Sequence, residues 1–295
     1  MIDKHTRFLI VGLGLLGGSY AKALKRQGFP VEAVTRSQSS IDYALEADII
    51  DGGAAFADPE IIGRADFVVL AMYPQTLLDW VEENQQYFKP GALITDVTGV
   101  KACVVEPVQK MLRQDVEFIA AHPMAGRETL GVRNADDSIF RGANYIVTPT
   151  EKNTEGAILA CEQLGRLLGF ARISRLSPEK HDEMIGFVSQ LTHAIAVALM
   201  TCNDIEGLEK YTGDSFRDLT RIAKINDEMW SELFLANREA LLDQMDAFSA
   251  QFDRIREQLA AGDREAMRDV MRRSTVRRKA LETTQKPISG MAEQP

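Results

Sequence analysis

The sequence predicts a doubly wound α/β domain with a parallel sheet, followed by an all-helical domain. Three observations predict it. Short, continuous apolar runs alternate with helix-length amphipathic stretches over residues 1–173, a glycine-rich turn follows the first run, and strand-like patterning ends near residues 174–184.

The strand candidates are 7–12 (RFLIVG), 31–35 (VEAVT), 66–72 (DFVVLAM), 92–97 (ALITDV), 116–121 (VEFIAA) and 144–148 (NYIVT). Runs this short and this uniformly apolar belong to strands buried on both faces. Helices are expected between most of them, near 15–28, 40–47, 75–88, 101–113 and 153–168, the alternation that builds a parallel sheet covered on both sides. Residues 124–143 carry Gly126, Gly131, Asn134, Asp136, Asp137 and Gly142, turn chemistry dense enough for a functional loop rather than a tight connection. Ser177, Pro178 and Glu179 then form a helix start: an N-cap hydroxyl, a proline at the first position and an acid in the first turn. Helical patterning continues through 178–207, 216–225, 227–262 and 263–282, and a loose tail is expected from 283. The expected domains are therefore 1–173 and 174–295.

Composition narrows the function. A net charge of −9 argues against an extended surface for nucleic acid or anionic membrane, and "MRRSTVRRK" (271–279) is expected to be a solvated helix face. Cys103, Cys161 and Cys202 are odd in number and far apart, so neither a disulfide framework nor a metal site is expected, and the cytoplasm is the natural compartment. "FLIVGLGLLGGSYA" (8–21) imitates a short signal peptide, but its glycine spacing has a better explanation. No apolar run is expected to reach the roughly 20 residues that span a bilayer.

That explanation is GxGxxG. Gly12, Gly14 and Gly17, with Leu15 and Leu16 between the last two, follow a strand and open a helix. The first glycine permits the turn, the second lets a pyrophosphate approach the backbone, and the third lets helix and strand pack closely, as in a Rossmann-type dinucleotide site. At the end of the second strand an NAD site usually has an acid for the ribose 2′-hydroxyl. Glu32 lies too early for this, and the position falls near Thr35, followed by Arg36, Ser37 and Ser39. A cation and hydroxyls suit a 2′-phosphate, so NADP is favoured, with NAD as the alternative.

"TDVTGVKA" (95–102) opens a helix at the carboxyl edge of the sheet, where ligands bind in such folds. Asp96, Thr98 and Lys101 are candidates there, with helix capping as the structural alternative for the first two. His122 follows the next strand at the same edge, placed to take a proton near neutral pH, and Pro123 is expected to turn the chain out of the strand. In the helical half, His181, Ile185, Ser189 and His193 share one face, with Gln190 beside them, and His181 is expected to be structural. Arg217 and Arg221, four residues apart, form a possible anion clamp. The competing reading pairs them with Asp214 and Asp218.

Four segments in order, "GLGLLGGS", "TDVTGVK", "HPMAGRETLG" and "FRDLTRIAKINDEMW", resemble the prephenate dehydrogenase family over residues 7–282, with a degraded "SQLTH" between the last two. The resemblance implies an all-helical dimerisation domain behind the Rossmann-type domain, a homodimer, and oxidative decarboxylation of prephenate to 4-hydroxyphenylpyruvate in tyrosine biosynthesis. It implies that His122 is the base for the ring 4-hydroxyl, that Arg221 binds a substrate carboxylate with help from Arg217, and that His193, with Ser189 and Gln190, borders the substrate.

The chain departs from the family pattern in two places. Asp-x-Gly-Ser-x-Lys has become Asp96-Val-Thr98-Gly99-Val-Lys101, so the serine that supports the catalytic histidine is Gly99, and Thr98 or a water is expected to take over its hydrogen bond. SHLPH has become Ser189-Gln190-Leu191-Thr192-His193. Some relatives carry a C-terminal regulatory domain, for which this chain is expected to be too short. The rival readings are arogenate dehydrogenase, a dinucleotide-binding sensor without turnover, and a β-hydroxy-acid dehydrogenase, whose catalytic lysine only Lys180 stands near enough to supply.

Overall fold

The structure is a computed structural model and describes residues 1–127 and 129–284. Two compact units divide it, Met1–Leu241 and the chain from Leu242 on. The change from sheet to helix falls near residue 175, close to the expected domain boundary, but the helices up to Leu241 belong to the same compact unit as the sheet.

The first unit contains β1 (Phe8–Val11), α1 (Leu15–Arg26), β2 (Val31–Val34), α2 (Gln38–Glu46), β3 (Gly52–Ala54), α3 (Pro59–Gly63), β4 (Phe67–Leu70), α4 (Pro74–Asn84), β5 (Leu93–Asp96), α5 (Ala102–Met111) and β6 (Glu117–Phe118). Then come β7 (Ala120–Pro123), β8 (Asn144–Thr148), α6 (Glu155–Leu168) and β9 (Arg172–Arg175). The main sheet is parallel with strand order β3-β2-β1-β4-β5-β6, the doubly wound order. One face packs Ile10, Tyr20, Leu24 and Val69 with α6. The other packs Leu9, Val68, Leu77, Ile94 and Val104 with α3, α4 and α5. The signal-like segment 8–21 is thus a central strand and its helix.

The expected strand 116–121 is two strands. Only Glu117–Phe118 joins the main sheet, while Ala120–Pro123 pairs antiparallel with β8 in a second sheet of order β7-β8-β9. Pro123 closes β7 in register with Tyr145 instead of leaving the strand, as was expected. It is tolerated because β7 is an edge strand with no outer neighbour to receive an N–H. β3 and β9, too short and too polar or glycine-rich to read as apolar runs, are strands the sequence pattern did not reveal.

Ser177 caps the next helix as expected, its side chain accepting from Lys180 N. The expected helix 178–207 is α7 (Pro178–Ile185), a wide π turn over Gly186–Gln190, and α8 (Leu191–Thr201). π turns interrupt α-helices frequently at functional sites. Contrary to the sequence expectation, Pro178–Thr201 is by length and composition apolar enough to cross a membrane, although His181, Asp182 and Gln190 on it are buried and hydrogen-bonded. After it come α9 (Asp214–Thr220), α10 (Asp227–Ala236) and the start of α11 (Arg238–Ala260).

The second unit holds the rest of α11 and α12 (Arg264–Thr284). Leu242, Met245, Phe248, Phe252, Ile255 and Leu259 recur at three- to four-residue spacing along α11 and are exposed. The loose tail was expected from 283, but α12 runs to Thr284, and residues 285–295 lie outside the described residues.

Candidate active site

The carboxyl ends of β1, β4 and β5 open onto a cleft of about 910 Å³, walled on the far side by α8, α10 and the turn after α9. Gly12 has φ +96°, and a Cβ there would lie 2.5 Å from the Ala71 carbonyl oxygen. A Cβ on Gly17 would lie 2.0 Å from Gly12 O, whereas nothing stands within 4 Å of one on Gly14. The turn is therefore closed against protein at its two ends and open to the cleft in the middle. Gly14 is the N-cap of α1, no side chain caps it, and the first turn holds no acid. Those features fit a pyrophosphate resting on the helix N-terminus, and Leu15 and Leu16 line the cleft beside it.

Val34 pairs with Val11, so Thr35, Arg36 and Ser37 follow β2 immediately beside the glycine turn. Arg36 is exposed and has no hydrogen-bond or ion-pair partner among the described residues. Ser37 caps α2, accepting from Ser40 N, and its hydroxyl lies 3.0 Å from that of Ser39. Glu32 is turned away from a ligand role by a bond from Arg64 Nε at 2.7 Å.

The turn after β5 corrects two expectations. Asp96 and Lys101 are wholly buried, with Lys101 Nζ donating to Asp96 Oδ2 at 2.6 Å and to Ala121 O at 2.7 Å. Asp96 Oδ1 accepts from Ala121 N at 3.1 Å. Asp96 thus fixes β7 against β5 and does not line the cleft, so it is no cofactor contact. Burial pushes the Lys101 pKa down, and the carboxylate of Asp96 opposes that shift. Thr98 does line the cleft, but its hydroxyl faces two acceptors within its own turn, Asp96 Oδ2 and Val100 O, the latter at 2.8 Å. It does not hold His122, because its one proton is used within its own turn.

The partner of His122 is His181. Nδ1 of His122 lies 2.8 Å from Nε2 of His181, and Nδ1 of His181 lies 2.7 Å from Asp182 Oδ1. Asp182 also accepts from the main-chain N–H groups of Lys101 and Ala102, both at 2.8 Å, and so seats α7 on the N-terminus of α5. Asn237 donates to the Asp182 carbonyl at 2.9 Å. His181, expected to be only structural, is completely buried yet touches the one histidine at the sheet's edge of the cleft. Burial, then the electrostatic influence of the neighbouring His181 and Lys101, holds the His122 pKa well below 6.5. Burial also lowers that of His181, against the pull of Asp182.

On the helical wall, His193 bonds Ser189 O through Nδ1 at 2.9 Å and stacks on Trp230, centroids 3.7 Å apart. Both rings line the cleft with Ser189 and Arg221. Gln190 reaches the cleft edge but is 1% exposed, its amide donating to Leu233 O and accepting from Asn237. Arg217 is a correction: it pairs with Asp214, donates to Thr212 O and does not line the cleft. The cations the structure adds there are Lys224 and Arg127, the latter paired with Asp136. Trp230 and Lys224 were inside a quoted motif without being singled out. Asp182 follows His181 directly, and a carboxylate beside a buried histidine was the signal for the pair. Among the described residues no cluster of histidines, cysteines and acids has the makings of a metal site.

Two family models match the chain: the nucleotide-binding domain of prephenate dehydrogenase over residues 20–168 and its dimerization domain over residues 177–273. A prephenate dehydrogenase of Bacillus subtilis is 31% identical over 274 residues, 90% of this chain and 73% of that one. Among solved structures, prephenate dehydrogenase of Aquifex aeolicus, in complex with hydroxyphenyl propionate and NAD+, superposes with a TM-score of 0.87 at 29% identity. The match covers 95% of this chain and 100% of that one. An arogenate dehydrogenase of Synechocystis gives a TM-score of 0.82 at 25% identity over 94% of this chain and 100% of that one. The glycine turn, the cleft histidine and these likenesses agree, and the chain belongs to the prephenate dehydrogenase family of NAD(P)-dependent oxidoreductases.

Proposed function

We propose that the chain catalyses the oxidative decarboxylation of prephenate to 4-hydroxyphenylpyruvate, with His122 as base. The observation that carries this reading is the ring of His122, which lines the cleft shared with the glycine turn while its Nδ1 is already bonded. Its Nε2 has no partner among the described residues and is the nitrogen free to meet a hydroxyl. The lowered pKa keeps the imidazole neutral and able to accept a proton at pH 7.

The bound nicotinamide supplies the hydride acceptor. His122 takes the proton of the substrate's 4-hydroxyl as the C4 hydride departs, which leaves a carbonyl at C4. The ring carboxylate then leaves as CO2, its bonding electrons restore aromaticity, and the phenolate oxygen recovers the proton. Arg221 and Lys224 hold substrate carboxylates, and the stacked His193–Trp230 pair forms a flat wall for the ring. Arg36, with Thr35 and Ser37, receives a 2′-phosphate, so NADP is preferred. Gln190 shapes the wall through Leu233 and Asn237, and Ser189 orients His193.

The working form is a homodimer joined through the helical half. Its support is the apolar surface left open there, with Phe187 56% exposed on the π turn and the α11 stripe uncovered. The free thiols Cys103, Cys161 and Cys202 suit a reducing, cytoplasmic setting. Initial rates of nicotinamide reduction with prephenate and with arogenate, each with NADP+ and NAD+, test the proposal. The fastest rate is expected with prephenate and NADP+. A faster rate with arogenate moves the substrate to its amino analogue, the activity named for the Synechocystis structure. Absence of turnover with either overturns the enzymatic reading.

A further inference from the structure

We propose that His181, anchored by Asp182, is a positioning residue that sets the tautomer and ring orientation of His122, in a chain running carboxylate–imidazole–imidazole to the cleft. The proposal rests on His122 being the proton acceptor.

The directions of the hydrogen bonds follow from the chemistry of the groups. An ionised carboxylate only accepts, so the proton between Asp182 and His181 sits on His181 Nδ1, at 2.7 Å. In a neutral imidazole the other nitrogen must then accept, so His181 Nε2 receives from His122, at 2.8 Å. His122 therefore carries its proton on Nδ1, and Nε2 presents a lone pair. A free histidine ring divides between two tautomers, and only this one acts as a base from Nε2. Asp182 cannot swing away, since its two oxygens also accept from Lys101 N and Ala102 N.

Among the described residues, no side chain other than His181 bonds the His122 ring. A Cβ on Gly99 would come 3.9 Å from His122 Cε1, yet glycine brings no hydroxyl. Thr98 is committed to Asp96 and Val100. The charged and titratable groups around the pair are Asp182 on α7, Lys101 at the start of α5 and Asp96 at the end of β5. Lys101 faces Asp96, which leaves Asp182 as the carboxylate that bonds the imidazole pair.

Nitrogen NMR of the full-length, histidine-labelled enzyme with cofactor reads the tautomer directly, and the four histidines make assignment tractable. The expected result for wild type is a protonated Nδ1 and unprotonated Nε2 on His122 at pH 7.5. A protonated Nε2 overturns the proposal without reference to any variant. In His181→Leu the tautomer is expected to revert toward the ordinary mixture and kcat to fall at least about tenfold, with KM and cofactor affinity held. That loss stays within the ~10²–10⁴-fold contribution of a general base. His181→Gln, whose amide can accept from Nδ1–H and donate to Asp182, is expected to recover most of the rate. An unchanged tautomer in His181→Leu, or a glutamine variant as slow as the leucine variant, overturns the positioning role. Full activity in His122→Asn instead removes the base assignment itself, so the two failures are distinguishable.

Discussion

His122 and His181 meet nitrogen to nitrogen at 2.8 Å, one ring in the cleft and the other sealed behind it. The contact joins β7 to α7, elements from opposite sides of the change between sheet and helix. Its first consequence concerns His122 alone. His122→Asn removes the proton acceptor while keeping a polar side chain, so kcat is expected to fall by ~10²–10⁴. Cofactor affinity, measured by fluorescence titration, should hold, because the glycine turn is untouched. A near-normal kcat excludes His122 as the base.

Arg221 belongs to a different class of effect. It lines the cleft opposite the sheet and is assigned a charge the substrate carries before, during and after hydride transfer. Arg221→Ala is therefore expected to raise KM with little change in kcat, the pattern of lost uniform binding. A hydrogen bond to a charged group is worth about 1.5–3 kcal/mol, which corresponds to a rise of roughly ten- to a hundredfold. Steady-state kinetics decides, and an unchanged KM transfers the carboxylate to Lys224.

Cofactor choice is read at Arg36. The side chain is exposed beside the glycine turn and no acid neutralises it among the described residues. Arg36→Asp places a carboxylate where a 2′-phosphate is expected, so the ratio of kcat/KM for NADP+ over NAD+ should drop at least about tenfold, the effect of some 1.4 kcal/mol. An unmoved ratio means Arg36 does not meet the 2′-phosphate.

Much of this architecture was legible in the sequence because burial on both faces forces continuous apolar runs, and β1, β2, β4 and β5 are such runs. β3 and β9 were not, since three residues containing two glycines, or an Arg-Ile-Ser-Arg edge, leave no apolar signature. At the site, residues whose roles depend on local turn chemistry were legible: a Cβ on Gly12 or Gly17 would meet backbone, and Gly14 leaves the middle of the turn open to the cleft. Thr98, Asp96 and Arg217 misled because each had a polar partner close in sequence that takes its hydrogen bonds. His181 is buried and hydrogen-bonded, in keeping with the structural role expected of it, but its link to the cleft was not legible. Its partner in the cleft lies 59 residues away, and only the fold brings the two rings together.

The buried ion pair of Asp96 and Lys101 fixes that fold. Asp96→Ala leaves a lysine ammonium in the interior with hydrogen bonds to Ala121 O and the Thr98 hydroxyl but no carboxylate bonded to it among the described residues. Removing one partner of a buried pair costs about 3–5 kcal/mol. Urea denaturation should register a loss of that order, and a loss under 1 kcal/mol means water reaches Lys101.

The two histidines also make stability depend on pH in a defined direction. Both are held below the ordinary value of 6.5 in the folded chain, first of all by burial. As pH falls through about 6.5 the unfolded chain takes up protons that the folded one refuses. Stability is therefore full above that value and declines as pH drops toward the lowered folded values. Carboxylates act elsewhere: Asp136, held at about 2 mainly by its bonds from Ser138, loses its contribution only in much stronger acid. Urea midpoints at fixed protein concentration should be lower at pH 5.5 than at pH 7.5. His181→Gln, which removes one refused proton, should narrow the difference. Equal midpoints in wild type mean that the folded pair binds a proton as readily as the unfolded chain does, and a shared proton between the two rings then replaces the neutral chain described above.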